Sequence, residues 1–218
     1  KHSCDCYVYM ITPRTALQTR SRQTCEALLE AAEALGNTKT FDQLTVQEVA
    51  ANAGFTIGAL YARFPSKASL LEALMARYEA MIEQARLQLG ADDAGTSVVQ
   101  SLADAFADAY EANGGRLRLI ESALHAEPEL AARIESLRTV IIDLTIDALA
   151  KRYPIPRRDL ETATLLLVAP LRELFFKREF WPHRTSTVKS QTTRLVEAVT
   201  AFLESRVAAG KSKIGRKS

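Results

Sequence analysis

The sequence has little of what marks a fibrous, disordered or membrane-spanning chain. Nine glycines and 7 prolines in 218 residues are too few for a collagenous or low-complexity chain. No apolar run approaches the roughly 18 to 20 residues that cross a bilayer. The longest, Ala163 to Leu171, already contains Thr164 and Pro170 and stops at Arg172. The N-terminus has no continuous apolar stretch leading to a small-residue cleavage site, so the expected location is cytoplasmic and no membrane partner is expected. Three cysteines, an odd number, make no disulfide framework. Cys4 and Cys6 with His2 lack a fourth ligand at a familiar spacing, which leaves no metal site, while Cys25 sits on an apolar helical stripe and reads as core. Catalytic arrangements are missing too: there is no H-E-x-x-H, no nucleophile elbow and no P-loop. Glu121 precedes His125 by four residues, not the three of a carboxylate-bridged metal pair, so neither an enzyme nor a cofactor is expected.

Charge of one sign is also scarce. The formal net charge is +2, so any nucleic-acid contact must come from a local arrangement and not from a global field. Between Arg20 and Lys67 five basic residues are offset by five acidic ones.

What is present is helix. With 47% hydrophobic and 25% charged residues, the chain can bury a sizeable core. Its apolar residues recur at three- and four-residue steps almost throughout, with no alternating strand pattern. Cys25, Leu28, Leu29, Ala32 and Leu35 form a first stripe that closes near Gly36-Asn37. Val46, Val49, Ala50 and Ala53 form a short second one, closed by Gly54, and a third short helix runs from Thr56 to Pro65. Ser66 caps a long helix carrying Leu71, Leu74, Tyr78 and Ile82, which ends before the Gly90 to Gly95 loop. Asn113-Gly114-Gly115 predicts a break, followed by a short helix over Leu117 to Leu124. Ile134 to Ala148 runs on to the Pro154-Ile155-Pro156 corner. Helices are expected over about 159–179 and 187–207. The fold class is therefore all-α: a compact three-helix head over 20–67 and a larger helical body over 68–209, with a poorly ordered extension over 1–19 and a basic tail over 210–218.

The segment Thr45 to Thr56 has several independent signals of a helix-turn-helix. Thr45 and Glu48 make a capping box. Ala50 is small where two helices cross. Gly54 stands where the chain must leave a helix through a left-handed turn, which glycine alone adopts freely. Thr56 caps the next helix. Leu60 points back to the core, leaving Ile57, Ala59, Arg63 and part of Tyr61 for a groove. A tight helical corner can carry the same signals without touching DNA.

The run Phe41-Asp42-Gln43-Leu44-Thr45-Val46, then Val49-Ala50, then Ala53 to Lys67 unbroken resembles the N-terminal domain of the tetracycline-repressor-like (TetR) family. The dense match spans roughly Arg22 to Leu74; the rest resembles the family only in its succession of helices. The resemblance implies a ligand-responsive DNA-binding transcriptional regulator, a repressor that binds a palindromic double-stranded operator as a homodimer. It places Thr45 and Thr56 at helix N-termini that favour phosphate, Tyr61 and Lys67 on phosphates, and Gly58 where the helix approaches DNA closely. Ile57, Ala59 and Arg63 are left for bases, the first two suited to a thymine methyl. Many relatives carry lysine in place of Ile57 and a hydroxyl residue in place of Ala59, so this recognition face is unusually apolar. The rival reading is a helical small-molecule sensor or interaction protein that does not read DNA sequence.

One short recognition helix reads few base pairs, so two copies are expected, joined through the helices at about 159–179 and 187–207. The stretch Leu165 to Phe176 is apolar nearly all round, as a helix facing both a core and a partner must be. Pro170 should kink it. The resemblance also implies a small, largely apolar effector held in the body. Phe106, Tyr110, Leu124, Leu137, Ile141 and Phe175 are candidate walls, and Arg118, Glu121, His125 and Glu173 candidate polar contacts.

Overall fold

The computed structural model describes residues 16–88, 97–124, 128–176 and 188–214. These form eight α-helices and no strand: α1 (Ala16–Gly36), α2 (Val46–Asn52), α3 (Ile57–Tyr61), α4 (Lys67–Gln88), α5 (Val98–Ala123), α6 (Pro128–Arg152), α7 (Arg157–Phe176) and α8 (Val188–Ile214). His125 and the Cys4–Cys6 segment lie outside the described residues.

The helix ends follow local chemistry. Ser66 and Ser69 cap α4 reciprocally, each hydroxyl taking the other's backbone amide at 3.1 and 3.0 Å. Proline at the first position of α6 gives up an amide that a helix start leaves unpaired anyway. Lys151 and Arg152 occupy its last turn, where the dipole favours cations.

Two compact units result: 1–80 with 113–128, and 81–112 with 129–218. This division differs from the one drawn on sequence, because the first half of α4 and the end of α5 belong with the head. The core of the first unit takes Leu28 and Ala32 from α1, Val49 from α2, Leu60 from α3, Phe64, and Leu70 and Leu74 from α4, all fully buried. Cys25 is buried among them and forms no disulfide, as its stripe position predicts. The second unit is built on Val99 and Leu102 of α5, Ile146 and Leu149 of α6, Leu160, Ala163, Leu167 and Leu171 of α7, and Val196, Val199 and Leu203 of α8. Each such leucine contributes about 1.5–3 kcal/mol by leaving water.

Three sequence expectations need correction. The chain does not break at Asn113-Gly114-Gly115, and 117–124 is no separate helix: α5 runs unbroken from Val98 to Ala123. Gly115 is buried against the end of α1, so its missing side chain serves a close helix contact and not a turn. The helix expected to end near 207 continues through Gly210 to Ile214. At the other end, α1 begins at Ala16, within the stretch expected to be poorly ordered.

Candidate nucleic-acid interface

Residues 45–67 fold as the local signals dictate. Thr45 caps α2 from an extended backbone: its Oγ1 accepts the Glu48 amide at 3.2 Å, and Glu48 Oε2 accepts the Thr45 amide at 3.2 Å. The Thr45 hydroxyl donates its proton to the same carboxylate at 2.8 Å. The far end of α2 closes in a Schellman motif, with Phe55 N–H on the Ala50 carbonyl at 2.9 Å and Gly54 N–H on that of Ala51 at 3.1 Å. Gly54 has φ +74°, the only positive φ among the described residues. Thr56 then starts α3, its Oγ1 accepting the Ala59 amide at 3.1 Å.

This short helix is anchored on one side and open on the other. Leu60 and Phe64 are fully buried, and the Leu60 carbonyl takes the Phe64 amide at 2.8 Å. Ile57 is 41% and Tyr61 46% exposed, and Phe55 in the turn is 37% exposed. Among the described residues, three of the six large exposed apolar side chains therefore lie within seven residues, the mark of a working surface. A side chain added at Gly58 would meet only Thr56 Oγ1, at 3.8 Å, so the space beside it is open. Ala59 is half-buried. Arg63 follows the C-cap of α3 and is also half-buried, with no hydrogen-bond partner for its Nε among the described residues.

Lys67, in the first turn of α4, does more than the sequence reading gave it. Its ammonium lies 4.6 Å from the centre of the Phe41 ring and donates to the Asp42 carbonyl at 3.3 Å. Burial lowers its pKa, against the pull of Asp42. It thus ties the start of α4 to the loop before α2. Sequence reasoning also missed Lys39, which pairs with Glu48 and with Thr45 holds that carboxyl below the usual range. No local spacing signals a pair across a loop nine residues apart.

The candidate effector residues divide between the two units. Arg118, Glu121 and Leu124 fall in the first, half-buried and, for the two charged ones, already engaged. Phe106, Tyr110, Leu137, Ile141 and Phe175 fall in the second, half-buried, with Glu173 exposed there and also engaged. Tyr110 and Phe175 stack, their rings parallel to within 4° and 5.5 Å apart. Among the described residues no cluster could hold a metal, and no helix is long and apolar enough to cross a membrane.

Comparison with known proteins agrees with this geometry. Residues 28–74 match the family model described as bacterial regulatory proteins, tetR family, and residues 96–177 match that of the tetracyclin repressor-like C-terminal domain. No curated protein matches the sequence. Similar solved structures include NalD of Pseudomonas aeruginosa, titled the secondary repressor of the MexAB-OprM multidrug efflux pump. It is 22% identical, with 85% of this chain and 98% of that one covered and a TM-score of 0.60. A transcriptional regulator from Rhodococcus sp. Rha1 is 19% identical over 83% and 96%, with a TM-score of 0.63. A TetR-family regulator from Mesorhizobium loti MAFF303099 is 19% identical over 85% and 97%, with a TM-score of 0.58. With its capped and glycine-turned helix pair, its helical second unit and both family matches, the chain belongs to the TetR family of DNA-binding transcriptional regulators and is not an enzyme.

Proposed function

We propose that this regulator is a repressor that binds a palindromic operator as a homodimer and leaves it when a small, largely apolar effector binds the second unit. The observation that carries the DNA-reading part is the open face of α3. Ile57, Gly58 and Tyr61 are exposed while Leu60 and Phe64 lock the helix from behind. Ile57 and Ala59 touch thymine methyls, Tyr61 and Lys67 touch phosphates, and Thr45 and Thr56 border the surface at the exposed starts of α2 and α3. Arg63 is a weaker base reader, being half-buried. Likeness to NalD, titled a repressor, supports repression.

Dimerisation uses α7 and α8. Leu165 and Leu166 are 56% and 45% exposed on α7, and Ala198 and Ala201 are exposed on α8. Large apolar groups beside small ones suit two copies packing as a four-helix bundle. The half-buried Phe106, Tyr110, Leu137, Ile141 and Phe175 supply apolar walls for the effector.

Selection from random duplex DNA tests the reading. An inverted repeat should emerge, with half-sites about one helical turn apart. If a folded dimer enriches no sequence, the sensor reading replaces this one. Tyr61→Phe and Lys67→Met should weaken binding alike on all sequences, and Lys67→Met should reduce the salt slope by about 1 while keeping its stem on Phe41. Ile57→Ala should instead change which bases are chosen.

A further inference from the structure

The last turns of α5, from Asn113 onward, belong to the first unit although the helix starts in the second. Along this segment Gly115, Arg116, Leu119 and Ser122 meet α1 or the loop that leads into α2. Gly115 lies against the backbone of α1: a Cβ there would stand 1.9 Å from the Glu33 carbonyl oxygen and 3.1 Å from the Asn37 amide nitrogen. The contact is mutual, since a Cβ on Gly36 would stand 2.3 Å from the Gly115 carbonyl oxygen and 2.7 Å from Leu119 Cγ. Neither position has room for a side chain, so the two helices can approach this closely only with glycine at both. Beside this crossing, the buried Arg116 donates from Nε to Glu33 Oε1 at 2.7 Å, and the same oxygen takes Arg77 of α4 at 2.9 Å. One carboxylate therefore joins three helices. Near the helix end, Ser122 Oγ accepts the Phe41 amide at 2.8 Å while donating to the Leu119 carbonyl at 3.0 Å. Phe41 is the residue under the Lys67 ammonium, three positions before the buried Leu44 and four before the Thr45 cap.

We propose that the end of α5 is a positioning element of the DNA-reading head, in which Gly115 and Arg116 seat the end of α1 and Ser122 holds the loop over 37–44, thereby setting where α2 and α3 start. The proposal rests on the DNA-reading role argued above. Glycine at 115 and 36 makes the grip tight in backbone terms, and the Ser122 hydroxyl makes it specific to the Phe41 amide.

The full-length protein tests this, with Ser122→Ala and the conservative Ser122→Thr compared with the parent. Hydrogen exchange of the 38–44 amides is followed together with affinity for the selected operator and for unrelated duplex DNA. Ser122→Ala should speed exchange in the loop and leave α7 and α8 unchanged. It should also lower operator affinity about fivefold, the worth of one lost backbone hydrogen bond, with non-specific affinity held within about twofold. Ser122→Thr, which keeps the hydroxyl, should restore both. Gly115→Ala should act in the same direction more strongly; should it fail to fold, the serine pair still decides. Unchanged loop exchange in Ser122→Ala overturns the proposal, as does faster exchange with undiminished operator affinity, which would make the contact structural only. Failure of the parent itself to select any sequence is seen before a variant is made, and removes the DNA-reading role and this proposal together.

Discussion

At the residue scale, two glycines four positions apart have opposite reasons to be glycine. Gly54 has a left-handed φ and open space, whereas Gly58 has ordinary helical geometry and open space. Gly54→Ala should cost about 1 kcal/mol of stability, the penalty of a Cβ in the left-handed region. Gly58→Ala should raise stability by about 0.5 kcal/mol through helix propensity, yet weaken operator binding by filling the space that DNA approaches. Thermal unfolding and operator titration of both variants check this; a Gly58→Ala protein that binds DNA as well as the parent would remove Gly58 from the interface. Glu48 carries a pH signature. Its carboxyl is held low first by the Lys39 ammonium, then by the Thr45 hydroxyl and amide. A group whose folded pKa is depressed stabilises the fold above its unfolded value and loses that contribution as pH falls through the folded one. Glu48→Gln should therefore be less stable than the parent near neutrality, and the gap should close as pH drops below about 4.5. Denaturant melts of both proteins across that range measure it, and a gap independent of pH would rule out the carboxylate charge as its source.

At the element scale, what matters is which face of a helix stays uncovered. On α7 the buried Leu160, Ala163, Leu167 and Leu171 form one stripe, and Leu165, Leu166 and Ala169 lie exposed on another. The helix runs through Pro170, which has no amide to offer the Leu166 carbonyl. Leu166→Glu should leave the fold intact and shift the protein from dimer to monomer, as read by sedimentation equilibrium, with operator affinity falling in parallel. A variant that remains dimeric would move the interface elsewhere. The double apolar character of this helix was legible in sequence because both stripes are too rich in leucine and alanine for a helix with one wet side. Which stripe faces inward was not legible, since both repeat at the same three- and four-residue steps.

At the scale of the whole molecule, the chain divides its work between two compact units with separate cores. Leu167→Ala, in the core of the second unit, should cost about 2–5 kcal/mol and lower the melting temperature while the protein still selects the same operator. Calorimetry and repeated selection from random DNA check this, and a changed sequence preference would mean that this core helps to read bases. The expected helix-turn-helix is found at its expected residues, with the cap, turn glycine and buried Leu60 in place, because each depends on neighbours within a few positions. The Lys39–Glu48 pair and the Ser122–Phe41 hydrogen bond were invisible, because their partners meet only after the helices have packed.

The sequence by itself determined that the protein is helical, where most helices start and stop, and which short segment carries the helix-turn-helix. Those features follow from backbone amides finding caps within one turn and from apolar residues recurring at the helical period. Tertiary structure alone decided that α5 passes straight through Asn113-Gly114-Gly115. A glycine pair reads locally as a place for the chain to turn. Here the close approach of α1, which leaves no room for a Cβ at Gly115 or Gly36, gives Gly115 a packing role, and the surrounding buried contacts of Arg116, Leu119 and Ile120 outweigh the low helix propensity of the pair.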